Sequence, residues 1–296
     1  MDEFERHGIA VVEGRDAAAR ALRSAELTSD PGAGSPSVLL RDGEGHTRVR
    51  GVLREIITRL EPFPDSVRTE IEAVVGGLGT SFDLVRDFAR PVAGLVTAAV
   101  LGVPLDDVFL DHLERTTANL DVFGGTDRAA QSSAFRLSVQ LSRAAAEPGS
   151  GLAALRAAHA EGRLDDDELA INPVVLAHAA YENSLNFLAS AGLALASGSA
   201  QASVRELAAE ICPARYVLRF GAAGPVAISL ADGLPFGLGR HACPGSGVAL
   251  AEGEIALRAL SRFLAGGCQV GEVRWKTHPV FRGLASARVV VSEKQG

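Results

Sequence analysis

The stretch PFGLGRHACPGSGVALAEGE, residues 235–254, decides the fold. Gly237, Gly239 and Gly245 permit backbone angles and close approaches that other residues resist. They bracket Cys243 just ahead of a run with helical periodicity, and His241 stands two residues before the cysteine. A thiol placed there has backbone N–H groups and the positive end of a helix beside it, both of which favour the thiolate. That is the setting of a ligand or a nucleophile. A lone cysteine can equally be a small buried hydrophobe, so the rest of the chain has to decide.

The chain has 296 residues, 47% of them hydrophobic, which is ample for one large core. Lys and Arg total 29 against 36 Asp and Glu, and the net charge of −7 gives no general attraction to nucleic acid or anionic lipid. The N-terminal MDEFERHGIA lacks the basic start and apolar run of a secretion signal. PVAGLVTAAVLGVPL, residues 91–105, is broken by Gly and Pro and falls short of the ~20 residues a membrane span needs. Cys212, Cys243 and Cys268 are odd in number, widely spaced and without a CxxC pair, so neither a disulfide framework nor a zinc site is indicated. A cytoplasmic protein with no membrane span is the expectation.

Apolar positions recur at helical spacing over residues 15–26, 47–60, 65–78, 82–101, 105–119, 128–146, 151–161, 166–197, 201–211 and 245–265. The 166–197 segment opens with acids and is apolar nearly all round, which predicts a central buried helix. Strand patterns are sparse: RYVLRFG at 215–221, PVAISL at 225–230 and SARVVVSE at 286–293. With no repeat or linker, residues 1–296 read as a single, mainly α domain with a small β portion.

FGLGRHACPG, Phe236 to Gly245, resembles the heme-binding signature of the cytochrome P450 family, with every fixed position present. DGEGHTRVRGVL at 42–53 resembles that family's C helix, and its His46 and Arg50 lie four apart on one face. CPARYVLRFG at 212–221 is similar to the strand that sends an arginine, here Arg219, to a heme propionate. The resemblance implies a shortened bacterial P450-type fold holding heme b. It implies Cys243 as the axial iron ligand, His46, Arg50, Arg219 and His241 as propionate partners, and Phe236 and Gly245 as part of the cofactor loop. A site for heme needs these chemistries anyway: an axial ligand, apolar walls and cations for two carboxylates.

Five departures stand out. The chain begins where the family's first strands would be ending, and little sequence separates Gly221 from Pro235, where the family places its K′ helix and meander. Glu206 is followed by Ala209 where the family's Glu-x-x-Arg pair has arginine, so Glu206 is expected to be exposed or otherwise satisfied. On the distal side Ala180, Glu182 and Asn183 replace the family's glycine, acid and threonine, and Ser184 substitutes for the threonine only if the helix is locally rotated. Pro244 has no N–H to offer the sulfur, which predicts an electron-rich thiolate and a lowered reduction potential.

Glu182, with Asn183 or Ser184, is thus the candidate catalytic group. Three readings stay open. The first is a monooxygenase acting on a small lipophilic natural-product intermediate with a ferredoxin-type redox partner. The second is a heme enzyme of the same fold with peroxide-driven or redox-neutral chemistry, and the third a non-catalytic P450-like helper. The trimmed sheet also predicts an apolar surface that a second subunit would cover, making a homodimer.

Overall fold

The chain was analysed as a computed structural model that describes residues 3–32, 34–120, 123, 127–199 and 203–292. It runs α1 (Glu3–Arg6), β1 (Ala10–Val12), α2 (Arg15–Arg23), a 3-10 turn (Val38–Leu40), α3 (Gly43–Thr58), α4 (Asp65–Gly76) and β2 (Ser81–Asp83). A π-helical segment, Leu84–Ala89, leads into α5 (Arg90–Leu101). Next come α6 (Asp107–Thr116) with a 3-10 turn (Thr117–Leu120), α7 (Arg128–Arg143), α8 (Gly151–Ala160), α9 (Asp166–Ala196) and α10 (Val204–Ile211). The hairpin β3 (Tyr216–Gly221) and β4 (Gly224–Ser229), a 3-10 turn (Gly239–His241), α11 (Ser246–Leu264), β5 (Cys268–Trp275) and β6 (Leu284–Val291) complete it.

Each segment read as helical from its periodicity contains a helix, with ends shifted by a few residues; the helix expected over 47–60 begins four residues earlier, at Gly43. The 82–101 reading is corrected at its start. Phe82 pairs with Val289 in β6, and Asp83 then accepts the N–H groups of Val85 and Arg86, both at 2.9 Å, which starts the helical run two residues late, at Leu84. Three strands escaped the pattern. β1 and β2 are three residues each, and β5 carries a register shift between Val270 and Val273 that breaks its alternation. One sheet has the order β1-β4-β3, with β1 parallel to β4. The other has the order β2-β6-β5 and is antiparallel.

The 31-residue helix α9 is the axis of the molecule and packs against α5, α6, α7, α8, α10 and α11. Asp165 accepts from Glu168 N at 2.7 Å and Glu168 returns a bond to Asp165 N, a reciprocal cap that fixes the start. Glu168 also receives Arg41 and Arg48, whose guanidinium groups cover it completely. Asn172 ties the helix to the Val38 turn, accepting from Val38 N at 3.0 Å. From Tyr181 to Gly192 nearly every side chain is buried. A strip at helical spacing, Val175, His178, Ala179, Ala180 and Asn183, is left partly or fully open on the same helix. Glu206, as expected, is exposed and closes a capping box with Ser203. Among the described residues no helix is long and apolar enough to cross a membrane.

Candidate cofactor site

The cysteine loop is a chain of tight turns. Gly237 N donates to Leu234 O at 2.8 Å, Ala242 N to Gly239 O at 3.1 Å, and Cys243 N back to Phe236 O at 2.8 Å, which closes the loop. Phe236 anchors it by packing on the main hydrophobic core. Gly239 has φ +74°, and a Cβ there would stand 2.7 Å from Leu22 O, so only glycine lets the loop lie against α2. Gly245 precedes the first turn of α11, and its N–H reaches the Cys243 sulfur. The donor that Pro244 cannot provide is therefore supplied one residue later.

Cys243 is accessible, whereas Cys212 is buried and Cys268 half-buried. Desolvation nonetheless raises the Cys243 thiol pKa, opposed by the Gly245 N–H and the charge of Arg50. The N–H and the positive charge beside the sulfur favour the thiolate as the sequence suggests, burial opposes them, and a bound cation would ionise the thiol. Cys212 is structural, its thiol donating to Ala214 O at 3.2 Å and its pKa pushed to about 11 by burial.

The predicted propionate partners do converge on this loop. Arg50 donates to Ala242 O, next to the cysteine. His46, one turn earlier on α3, is 4% exposed, and its Nε2 is enclosed without a partner. Its ring lies 4.1 Å from that of His241. Arg219 in β3 bonds only to Leu218 O, and its charge acts on both histidines. Neither Arg50 nor Arg219 has a carboxylate partner among the described residues.

Two residues of this cluster were missed from sequence. Asp42, just before α3, accepts from Thr28 Oγ1 at 2.6 Å, Ser29 N at 2.7 Å and His241 Nε2 at 2.9 Å. Burial works against its charge, but these bonds hold its pKa at about 2. Desolvation lowers His241 to about 4, so at neutral pH it is a neutral ring committed through Nε2 to Asp42. Arg240 donates to Ser24 O and Leu27 O, at 2.6 and 2.8 Å, and lies 3.3 Å from Asp42. An aspartate at a helix start is a legible cap signal, but its tie to residues 240–241 is not. A groove of about 560 Å³ lined by Gly43, Glu44, His46, Thr47, Arg48 and Arg240 opens over this end of α3.

The distal candidates separate. Asn183 lies on the open strip of α9 and bonds to Ala179 O of its own helix at 3.3 Å. Ser184 is buried and donates to Glu252 Oε2 on α11 at 2.7 Å, so no local rotation brings its hydroxyl to the strip. Glu182 is 1% exposed. Its Oε1 accepts from Asn186 at 2.8 Å and from Lys276 at 3.2 Å, while Oε2 is enclosed and unpartnered. The glutamate therefore anchors the turn after β5 to α9.

Heme b presents one axial position, two carboxylates and a flat apolar body. An accessible Cys243 sulfur, two arginines without carboxylates, an orphaned His46 nitrogen and the apolar strip of Val175, Ala179 and Ala180 match that list. The residues fit the cofactor.

No family model matches the chain. It is 26% identical to the 6-deoxyerythronolide B hydroxylase of Saccharopolyspora erythraea over 93% of this chain and 88% of that protein. It is 30% identical to cytochrome P450-SU2 of Streptomyces griseolus over 167 residues, 54% of this chain and 41% of that protein. Among solved structures, CYP164A2 of Mycobacterium smegmatis in its ligand-free state superposes with a TM-score of 0.79 at 23% identity, covering 98% of this chain and 95% of that one. P450BioI in complex with an acyl carrier protein ligated to hexadec-9Z-enoic acid gives 0.76 at 19%, covering 95% and 92%. The mostly helical frame with small sheets is the fold of these bacterial P450 structures. The chain is similar to a bacterial P450-type hydroxylase over most of its length, and heme b is the cofactor that this resemblance implies.

Proposed function

We propose that the protein is a heme-thiolate monooxygenase acting on a small, largely lipophilic natural-product intermediate. One observation carries the reading: Cys243 is accessible yet its thiol is partly desolvated, at a loop where Arg50, Arg219 and His46 gather without carboxylate partners among the described residues. In support, one relative is a 6-deoxyerythronolide B hydroxylase, and the mycinamicin VIII C21 methyl hydroxylase MycCI of Micromonospora griseorubida superposes with a TM-score of 0.76 at 21% identity.

Bound heme would supply oxygen or peroxide activation at a thiolate-ligated iron. The chain's part is to hold and shield it. Cys243 would give the axial sulfur, with the Gly245 N–H tempering its charge. Arg50, Arg219 and His46 would meet the propionates, and the strip of α9 would wall the opposite face and exclude water. A ferredoxin-type protein is the proposed electron donor.

A specific observation also favours the peroxide-driven or redox-neutral reading. The open strip of α9 carries an amide, Asn183, that is bonded to its own helix, and Ser184 points away. No hydroxyl stands there to pass a proton. The test has two parts. The reduced, carbon-monoxide-bound protein is expected to show a long-wavelength Soret band that disappears in Cys243→Ser; its absence from the wild type refutes heme-thiolate ligation. Turnover with hydrogen peroxide alone, and none with NAD(P)H, ferredoxin and reductase, would exclude the monooxygenase in favour of the second reading.

A further inference from the structure

On the open strip of α9, one polar side chain is used neither by the cofactor cluster nor by the helix. His178 is half-buried, and its Nε2 lies 3.0 Å from Thr117 Oγ1 in the turn after α6. Thr117 is buried, and its hydroxyl has no other partner among the described residues. A buried hydroxyl gives its proton to the acceptor at hand, so Thr117 donates and Nε2 accepts. The neutral ring then carries its proton on Nδ1. Among the described residues that atom has no partner, and it is not among the enclosed orphan atoms, so it is open to a ligand. Burial keeps the ring neutral, with His278 and Lys276 acting in the same direction against Glu182. Phe281 stands edge-on to the ring at 6.3 Å, and Val175 and Ala179 flank it on the strip. The result is a donor whose orientation is fixed by Thr117.

We propose that His178 is a specificity-determining residue whose Nδ1–H donates to an acceptor oxygen, a carbonyl, ether or hydroxyl, on an otherwise lipophilic substrate. The proposal rests on the heme-thiolate reading and narrows its substrate class, since a plain hydrocarbon would leave the donor unmatched. Lys276 and Glu182 do not compete for the role, because they are bonded to one another.

The test uses heme-loaded, ferrous, carbon-monoxide-bound protein labelled with ¹⁵N-histidine, the His178 signals being those lost in His178→Phe. His178 is expected as the Nδ1–H tautomer, with that preference lost in Thr117→Val. Cyclohexanone, the acceptor probe, is expected to shift the Nδ1 resonance. His178→Phe should weaken its binding about five- to tenfold, with partial recovery in His178→Asn, which keeps a donor. An Nε2–H tautomer in the wild type overturns the proposal, as does an Nδ1 resonance unmoved up to the solubility limit of cyclohexanone. The Soret band of the same sample reports on thiolate ligation independently, so the two readings fail separately.

Discussion

Glu252 lies wholly inside the protein with one hydrogen bond, from Ser184, and its second oxygen has no partner. Burial raises its pKa from 4.5 to about 8, the Ser184 bond only partly opposing the shift. Below pH 4.5 the carboxyl is protonated in both folded and unfolded chains and contributes no slope. Between there and about pH 8 the unfolded chain releases a proton that the native one keeps, so stability falls as pH rises, by roughly 5 kcal/mol at most. Glu252→Gln is expected to flatten that fall; urea midpoints at about pH 5 and about pH 8 would show it, and an unchanged slope would refute the burial argument. Arg219 bonds to nothing but its neighbour's carbonyl, so Arg219→Leu should leave folding nearly intact. It should speed heme transfer to a scavenging apoprotein about tenfold, the worth of one charge-assisted bond. Transfer at the wild-type rate would remove Arg219 from the propionate set.

At the scale of elements, α9 is held at its start by Glu168 and in its middle by the Glu182–Lys276 pair. The hydrogen bond from Arg48 lowers Glu168 to about 2, so its contribution is present above pH 4.5 and is lost as pH falls toward 2. Glu168→Gln is expected to cost on the order of 2 kcal/mol, less than a fully enclosed pair because Arg48 reaches solvent. Denaturant unfolding near neutral pH measures it, and a loss below about 0.5 kcal/mol would contradict the reading. Lys276→Met strands a buried carboxylate and releases the turn between β5 and β6, so hydrogen exchange across 276–283 should accelerate while α9 itself stays protected. Uniform protection would show that the pair does not hold the turn. These elements differ in how much of them the sequence revealed. The start of α9 was legible because acids, cap and apolar period coincide within a few residues. β5 was not, because a bulge breaks its period. The direction of Ser184 was hidden for another reason: it depends on Glu252, 68 positions away, and no local pattern encodes that contact.

Across the whole molecule the same division holds. The cysteine loop and its partners on α3 and β3 could be read as types in order, and the structure gathers them. Asp42, Arg240 and Lys276 could not, because their roles arise only from segments brought together by the fold. Arg50 and Arg219, without carboxylate partners among the described residues, also leave uncompensated positive charge at this end of the protein. Heme-free protein is expected to melt lower than the loaded form and to gain more from added salt, since screening relieves the repulsion that bound carboxylates would otherwise neutralise. Scanning calorimetry at low and high salt checks this, and equal salt responses would deny it. Arg240 carries a last consequence. Its guanidinium grips the carbonyls of Ser24 and Leu27, 216 and 213 positions upstream. A nascent chain therefore cannot close this cradle on the ribosome until residue 240 has emerged to meet the segment around residues 24–27, so the pocket forms late however early its first wall is made.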